Sequence, residues 1–148
     1  MVGFQVRPLR TGCTVFRPLC PTLNLQHTDR RIVFENGFWW FCDERDGRKE
    51  NMRLYLQSCG WTVSDLCESL GIPERTFRRI VEESLGISAK RWLRELRAVK
   101  ACHLLLDLPA VDDVARELGF SHVAGFSREF SKIIGQSPSK FIQQRIRY

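Results

Sequence analysis

The feature that most constrains the fold of this chain is an internal repeat with an offset of about 48 residues. One copy runs through Leu66-Cys67, Gly71-Ile72, Phe77, Arg79, Gly86, Ser88 and Trp92. The other runs through Val114-Ala115, Gly119-Phe120, Phe126, Arg128, Gly135, Ser137 and Phe141. The spacings agree at every step but one, where the second copy has one extra residue between its first glycine and its first core aromatic. Such a repeat is one supersecondary unit used twice. Each copy reads as helix, tight glycine turn, helix and second glycine, the pattern of a helix-turn-helix. Two of these in tandem on a basic chain point to DNA.

The basic character is modest. The 148 residues carry a formal charge of +6. Residues 1–59 hold 9 Lys/Arg against 6 Asp/Glu, and residues 60–148 hold 14 against 11, so each part is +3. The charge argument therefore rests on local placement. No stretch approaches the roughly 20 apolar residues of a membrane span. Arg7 and Arg10 are followed by no continuous apolar segment, so no secretory signal is expected. The 6 cysteines form no C-x-x-C pair. Cys67 and Cys102 fall on helix faces expected to be buried, where cysteine acts as a small hydrophobe. A reduced, cytoplasmic protein is the simplest expectation.

Helical signals are regular from Met52 onward. A first helix is expected over 52–58. The next begins after the N-cap Thr62, with Asp65 in its first turn, and ends at Gly71. Pro73 suits the first turn of a third helix that runs to about Leu85 and closes at Gly86. Ser88 caps a long helix to about Asp107, with Pro109 forbidding continuation. Trp92, Leu96, Val99, His103 and Leu106 are expected as its buried stripe. Later helices are expected near 111–118, 122–134 and 138–146. Residues 1–50 differ: Pro8, Pro18 and Pro21 argue against helix, and "FENGFWWFC" (34–42) reads as a short strand or helix stub. The expected architecture is all-α: two helix-turn-helix subdomains (about 52–87 and 110–146) joined by a linking helix (about 88–107). A short irregular segment (1–50) precedes this 51–148 domain.

The third helix carries the clearest binding chemistry. Phe77, Ile80, Val81 and Leu85 form its apolar face, and Arg75, Arg78, Arg79 and Glu82 form the opposite one. Arginine offers a planar fork that matches guanine O6/N7 and phosphate oxygens. It does so here on the helix that enters the major groove in helix-turn-helix proteins. The equivalent helix of the second unit is quieter. Phe126, Phe130, Ile133 and Ile134 make its core face, and Ala124, Ser127, Arg128, Ser131 and Lys132 point outward. Ser121, His122 and Val123 sit at its N-terminal end, where free N–H groups and hydroxyls suit phosphate contact. The first unit is therefore expected to supply most base reading and the second more backbone anchoring.

These residues resemble a family. The stretch "GFSHVAGFSREFSKIIGQSPSKF" (119–141) is similar to the signature of AraC/XylS-type bacterial transcription regulators. The stretch from Trp61 to Leu106, with "LRAVKACHLLL" (96–106), resembles the family's first helix-turn-helix and linking helix. The resemblance covers roughly Met52 to Arg147. It implies two recognition helices in successive major grooves of promoter double-stranded DNA, with RNA polymerase as a further partner and no cofactor. Carried over by position, the base-facing residues are Arg75, Arg78 and Arg79, then Val123, Ser127 and Arg128. Three positions depart from the family pattern: Pro73 and Val123 stand where polar residues are usual, and Ala110 replaces a usual Ser/Thr cap. The last is expected to cost about 1 kcal/mol locally. Residues 1–50 are too few for the usual sensor domain, so a sensor-free regulator or a piece of a longer protein is expected.

Other function classes are weaker. A DNA-repair regulator with a metal- or alkyl-binding N-terminal segment would have to use Cys13, Cys20, Cys42 and His27, whose spacings are not those of closed zinc sites. A protein-interaction module would use Phe38, Trp39, Trp40 and Phe41, for which burial against the DNA-binding unit is the commoner fate. The scattered His27, His103 and His122 make no hydrolase constellation, and no enzymatic activity is expected.

Overall fold

A computed structural model of the chain describes residues 29–107 and 110–146. It contains β1 (Arg30–Glu35), β2 (Phe38–Asp43), β3 (Arg48–Asn51), α1 (Met52–Ser58), α2 (Val63–Leu70), α3 (Glu74–Leu85), α4 (Ala89–Asp107), α5 (Val111–Glu117), α6 (Val123–Ile134) and α7 (Pro138–Ile146). Two compact units meet at Arg91/Trp92, inside α4. The readings of Pro8, Cys13, Pro18, Cys20, Pro21, His27 and Pro109 fall outside the described residues.

The all-α expectation fails in the first unit, where residues 30–51 form an antiparallel sheet of order β1-β2-β3. Its signal is Asn36-Gly37. Both residues adopt positive φ, 53° and 81°, and Asn-Gly is the preferred pair for a two-residue hairpin whose twist matches its strands. The register follows, with Glu35 opposite Phe38 and Ile32 opposite Phe41. Cross-strand partners share a face, so Ile32, Phe34, Trp39 and Phe41 lie together. Ile32 and Phe41 are buried, while Phe34 and Trp39 pair their rings at 5.0 Å. β1 packs on α3 and β2 on α1, and the Ile32 N–H donates to Ser84 Oγ at 3.0 Å. Of the aromatic run, Phe41 is fully buried and Phe38, Trp39 and Trp40 are half-buried. Lys49 lies 5.1 Å over the Trp40 ring.

A buried acid closes the second turn of the sheet. Asp43 is 1% exposed. It accepts from Arg30 Nε at 2.6 Å, and from the backbone N–H, Nε and Nη2 of Arg45, each at 3.1 Å. The sheet runs straight into α1, because Asn51 ends β3 and also caps the helix, its side chain accepting from Arg53 N–H at 2.9 Å. Glu50 receives Arg48 at 2.7 Å and the Tyr55 hydroxyl, joining strand to helix.

The helices follow their caps. Thr62 accepts from Asp65 N–H at 3.1 Å, and Gly71 ends α2 at φ 65°, a left-handed conformation that glycine adopts without steric cost. Pro73 stands at the start of α3. It is the N-cap of α3, with an extended ψ of 136°, rather than the first helical residue. Leu66, Cys67, Leu70, Ile72, Phe77, Ile80 and Val81 form the core of this helix-turn-helix.

In the second unit, Val114, Ala115, Leu118, Phe126, Phe130, Ile134 and Phe141 are buried. Phe120, Phe126, Phe130 and Phe141 form a chain of rings with centroids 5.4, 5.6 and 5.7 Å apart. Ala110 provides no side-chain cap for α5. Ser88 and Ser137 do cap their helices, accepting from Arg91 N–H at 3.2 Å and Lys140 N–H at 3.3 Å.

The single buried stripe expected on α4 is corrected. Leu96, Val99 and His103 are half-buried and Leu106 is 47% exposed. The buried residues are Ala89, Trp92 and Leu93 near one end and Ala98, Ala101 and Leu105 toward the other. At 100° per residue these two sets fall on different sides of the helix. A stripe drawn through the large residues misses Ala89, Ala98 and Ala101, which are buried. Cys102 is half-buried rather than fully so.

Two predictions follow from this packing. Asp43→Ala removes every acceptor that holds Arg30 and Arg45 and is expected to destabilise the first unit by about 1–3 kcal/mol, read by chemical denaturation. Burial, with help from Glu74, pushes the Cys67 thiol up from 9.0 to about 11. The folded state thus keeps a proton that the unfolded chain releases. The stability this provides is intact below pH 9 and is lost as pH rises through about 11. Denaturation midpoints of Cys67→Ala should therefore fall less steeply than those of the wild type across that window.

Candidate nucleic-acid interface

The interface begins with how α3 is rotated. Phe77, Ile80 and Val81 are buried, which turns Arg75, Arg78, Arg79 and Glu82 outward, and all four are exposed. Leu85, expected on the apolar face, is half-buried. The three arginines have different surroundings. Arg75 has no ion-pair partner among the described residues. Arg78 donates through Nε to Glu74 Oε1 at 2.9 Å, and its Nη2 donates to the same oxygen. Arg79 Nε lies 3.8 Å from Glu83.

On α6, burial of Phe126, Phe130 and Ile134 sets the rotation. Ile133 is half-buried. Ala124, Arg128 and Lys132 are exposed, and Ser127 and Ser131 are half-buried. Ser121 and His122 are exposed before the helix, and Val123, its first residue, is half-buried. Arg128 Nε reaches the Ala124 carbonyl at 3.4 Å. The sequence thus locates every candidate residue on an accessible or partly accessible surface of its own unit.

The helix starts differ in a way that bears on anions. Side chains of Asn51, Thr62, Ser88 and Ser137 cap α1, α2, α4 and α7. α3 and α6 have no side-chain cap, and α5 shares this feature. In α6 the Gly125 N–H is taken by the His122 carbonyl at 3.0 Å, but at neither helix start does a capping side chain compete for the leading N–H groups.

Arg97, which sequence reasoning missed, organises the second unit. Its Nε donates to the Leu118 carbonyl at 3.0 Å, and its guanidinium stacks 3.6 Å over Phe120. It also lies 3.9 Å from Glu129 on α6, and Arg94 reaches the same carboxylate at 3.3 Å. One side chain of α4 thus holds the end of α5, the turn and α6. Burial draws the Arg97 pKa down, and Glu129 opposes that shift. The signal is faint in sequence because the partners lie 21 residues or more away. Removing the charged donor and the ring contact with Arg97→Ala is expected to lower the unit's stability by about 2–4 kcal/mol. Calorimetry checks this, and Arg97→Lys should recover only part.

Comparison with known proteins places this arrangement. Residues 66–144 match the family described as a helix-turn-helix domain. The chain is 33% identical over 87 residues to the virulence regulon transcriptional activator VirF of Yersinia enterocolitica, covering 58% of this chain and 31% of that protein. It is 31% identical over 95 residues to the transcriptional regulator ExsA of Pseudomonas aeruginosa, covering 62% and 34%. It thus spans about a third of the length of these curated relatives. Among solved structures, the C-terminal domain of the response regulator AraT from Geobacillus stearothermophilus aligns with a TM-score of 0.55 and 28% identity, over 62% of this chain and 80% of that one. The DNA-binding domain of the transcriptional factor AdpA, solved in complex with a target DNA, aligns with a TM-score of 0.56 and 26% identity, over 65% and 90%. Among the described residues no helix is long and apolar enough to cross a membrane. With its duplicated helix-turn-helix and a family match over more than half its length, the chain belongs to the AraC-type helix-turn-helix family of bacterial transcription regulators.

Proposed function

We propose that the chain binds a specific duplex DNA site at a bacterial promoter and regulates transcription there, acting in the cytoplasm and with RNA polymerase as its functional partner. α3 and α6 enter successive major grooves. Arg75, Arg78 and Arg79 read bases, and Val123, Ser127 and Arg128 read fewer. Ser121, His122 and Lys132 hold the phosphate backbone. The observation that carries this reading is the division of α3, whose apolar side is packed away while its arginine side is exposed. Guanidinium groups side by side on such a helix present planar forks that match guanine edges and phosphate oxygens. The uncapped starts of α3 and α6 add backbone N–H groups suited to phosphate oxygens. The target-DNA complex of the related AdpA domain is consistent with the same use of the fold. The relatives named above are regulators rather than enzymes, which agrees with a binding role.

Selecting bound duplexes from a random pool tests the proposal. Two preferred boxes about one turn, roughly 10 base pairs, apart are expected; enrichment of no sequence would refute it. Arg75→Ala or Arg78→Ala should cost about 1–3 kcal/mol and relax preference at particular base pairs. Lys132→Ala should weaken all sequences alike and reduce the salt slope by about 1. Ser127→Ala and Arg128→Ala should relax preference less than the α3 substitutions, measured on the same set of duplexes.

A further inference from the structure

We propose that Glu74 is a positioning residue for base reading, holding the Arg78 guanidinium by one edge so that the opposite fork is presented to a guanine. This rests on the DNA-reading proposal above and adds a residue whose acidic charge alone would argue against a place on a DNA-facing helix. A guanidinium carries five N–H donors in one plane. In Arg78 the edge formed by Nε and Nη2 is taken, because both donate to Glu74 Oε1, the first at 2.9 Å. The edge formed by Nη1 and the second Nη2 hydrogen is left, and this end-on fork matches the O6 and N7 acceptors of guanine.

The location supports the role. Glu74 is the first residue of α3, and residues at the N-terminal end of the second helix are those that meet base edges in helix-turn-helix proteins. The pair is solvent-exposed, at 41% for Glu74 and 52% for Arg78, so it adds little to helix stability. Its order, acid four residues before base, favours the contact within one helix. The second unit lacks the device, since the repeat places Val123 and Ser127 at the matching positions. The carboxylate has a second effect. On a duplex that offers no acceptor to the fork, Glu74 faces base and phosphate oxygens with nothing gained in return. It therefore raises discrimination more than affinity.

The test compares wild type, Glu74→Ala, Glu74→Gln, Arg78→Ala and the double variant Glu74→Ala/Arg78→Ala. Binding is measured by fluorescence anisotropy on the duplex selected by the wild type, on its single-base variants and on random duplex. Glu74→Ala should lower the ratio of selected to random binding about tenfold, within the range of one bidentate base contact. The loss should fall at the base pair where Arg78→Ala also loses preference. Glu74→Gln, which keeps an acceptor oxygen without the charge, should lose less. In the Arg78→Ala background, Glu74→Ala should change preference no further. The proposal is overturned if Glu74→Ala tightens selected and random duplexes equally, since only a repulsive charge would then have been removed. It is also overturned if the change in preference persists without Arg78. A wild type that prefers no duplex sinks DNA reading itself, whereas a preference untouched by either Glu74 variant removes only the role of Glu74.

Discussion

Burial of Phe77, Ile80 and Val81 is the constraint on which the rest depends. A helix cannot choose which side faces outward independently of which side it packs. Fully burying one such apolar side chain contributes about 1.5–3 kcal/mol, more than the roughly 0–1 kcal/mol that an exposed ion pair returns. The rotation of α3 is therefore set from inside, and the exposed arginines take the direction left to them. The same holds for α6, where a chain of phenylalanine rings fixes the rotation. Chemistry at the surface can then vary between the two copies without disturbing the shared fold, as the contrast between Arg78 and Ser127 illustrates.

Most helix boundaries were legible in the sequence because local groups make them. Thr62, Ser88 and Ser137 satisfy backbone donors within their own turn, and glycine supplies a left-handed end at Gly71. The outward arginines were legible for the same reason, since the 3.6-residue period sorts them from the buried face without knowledge of the partner.

What was not legible depends on contacts distant in sequence or on small residues. The sheet has a local signal in Asn36-Gly37, but its packing on α1 and α3 depends on contacts distant in sequence. The buried side of α4 is hidden because alanine gives a weak apolar signal, yet Ala98 and Ala101 are buried while the larger Leu106 is 47% exposed. Arg97 looks like an ordinary surface cation until Leu118, Phe120 and Glu129 are brought around it. The i and i+4 spacing of Glu74 and Arg78 is visible in the sequence, but spacing does not say which edge of the guanidinium is occupied.

The Ile32–Ser84 hydrogen bond has a consequence for solubility. β1 is an edge strand, and edge strands expose unpaired backbone donors that invite pairing with another chain. Here one such donor is already satisfied by a hydroxyl from α3, and the strand lies against that helix. A foreign strand seeking this edge would have to peel the hairpin away and uncover the apolar side of α3. The edge of the hairpin is thus covered by the same helix whose opposite side carries the arginines.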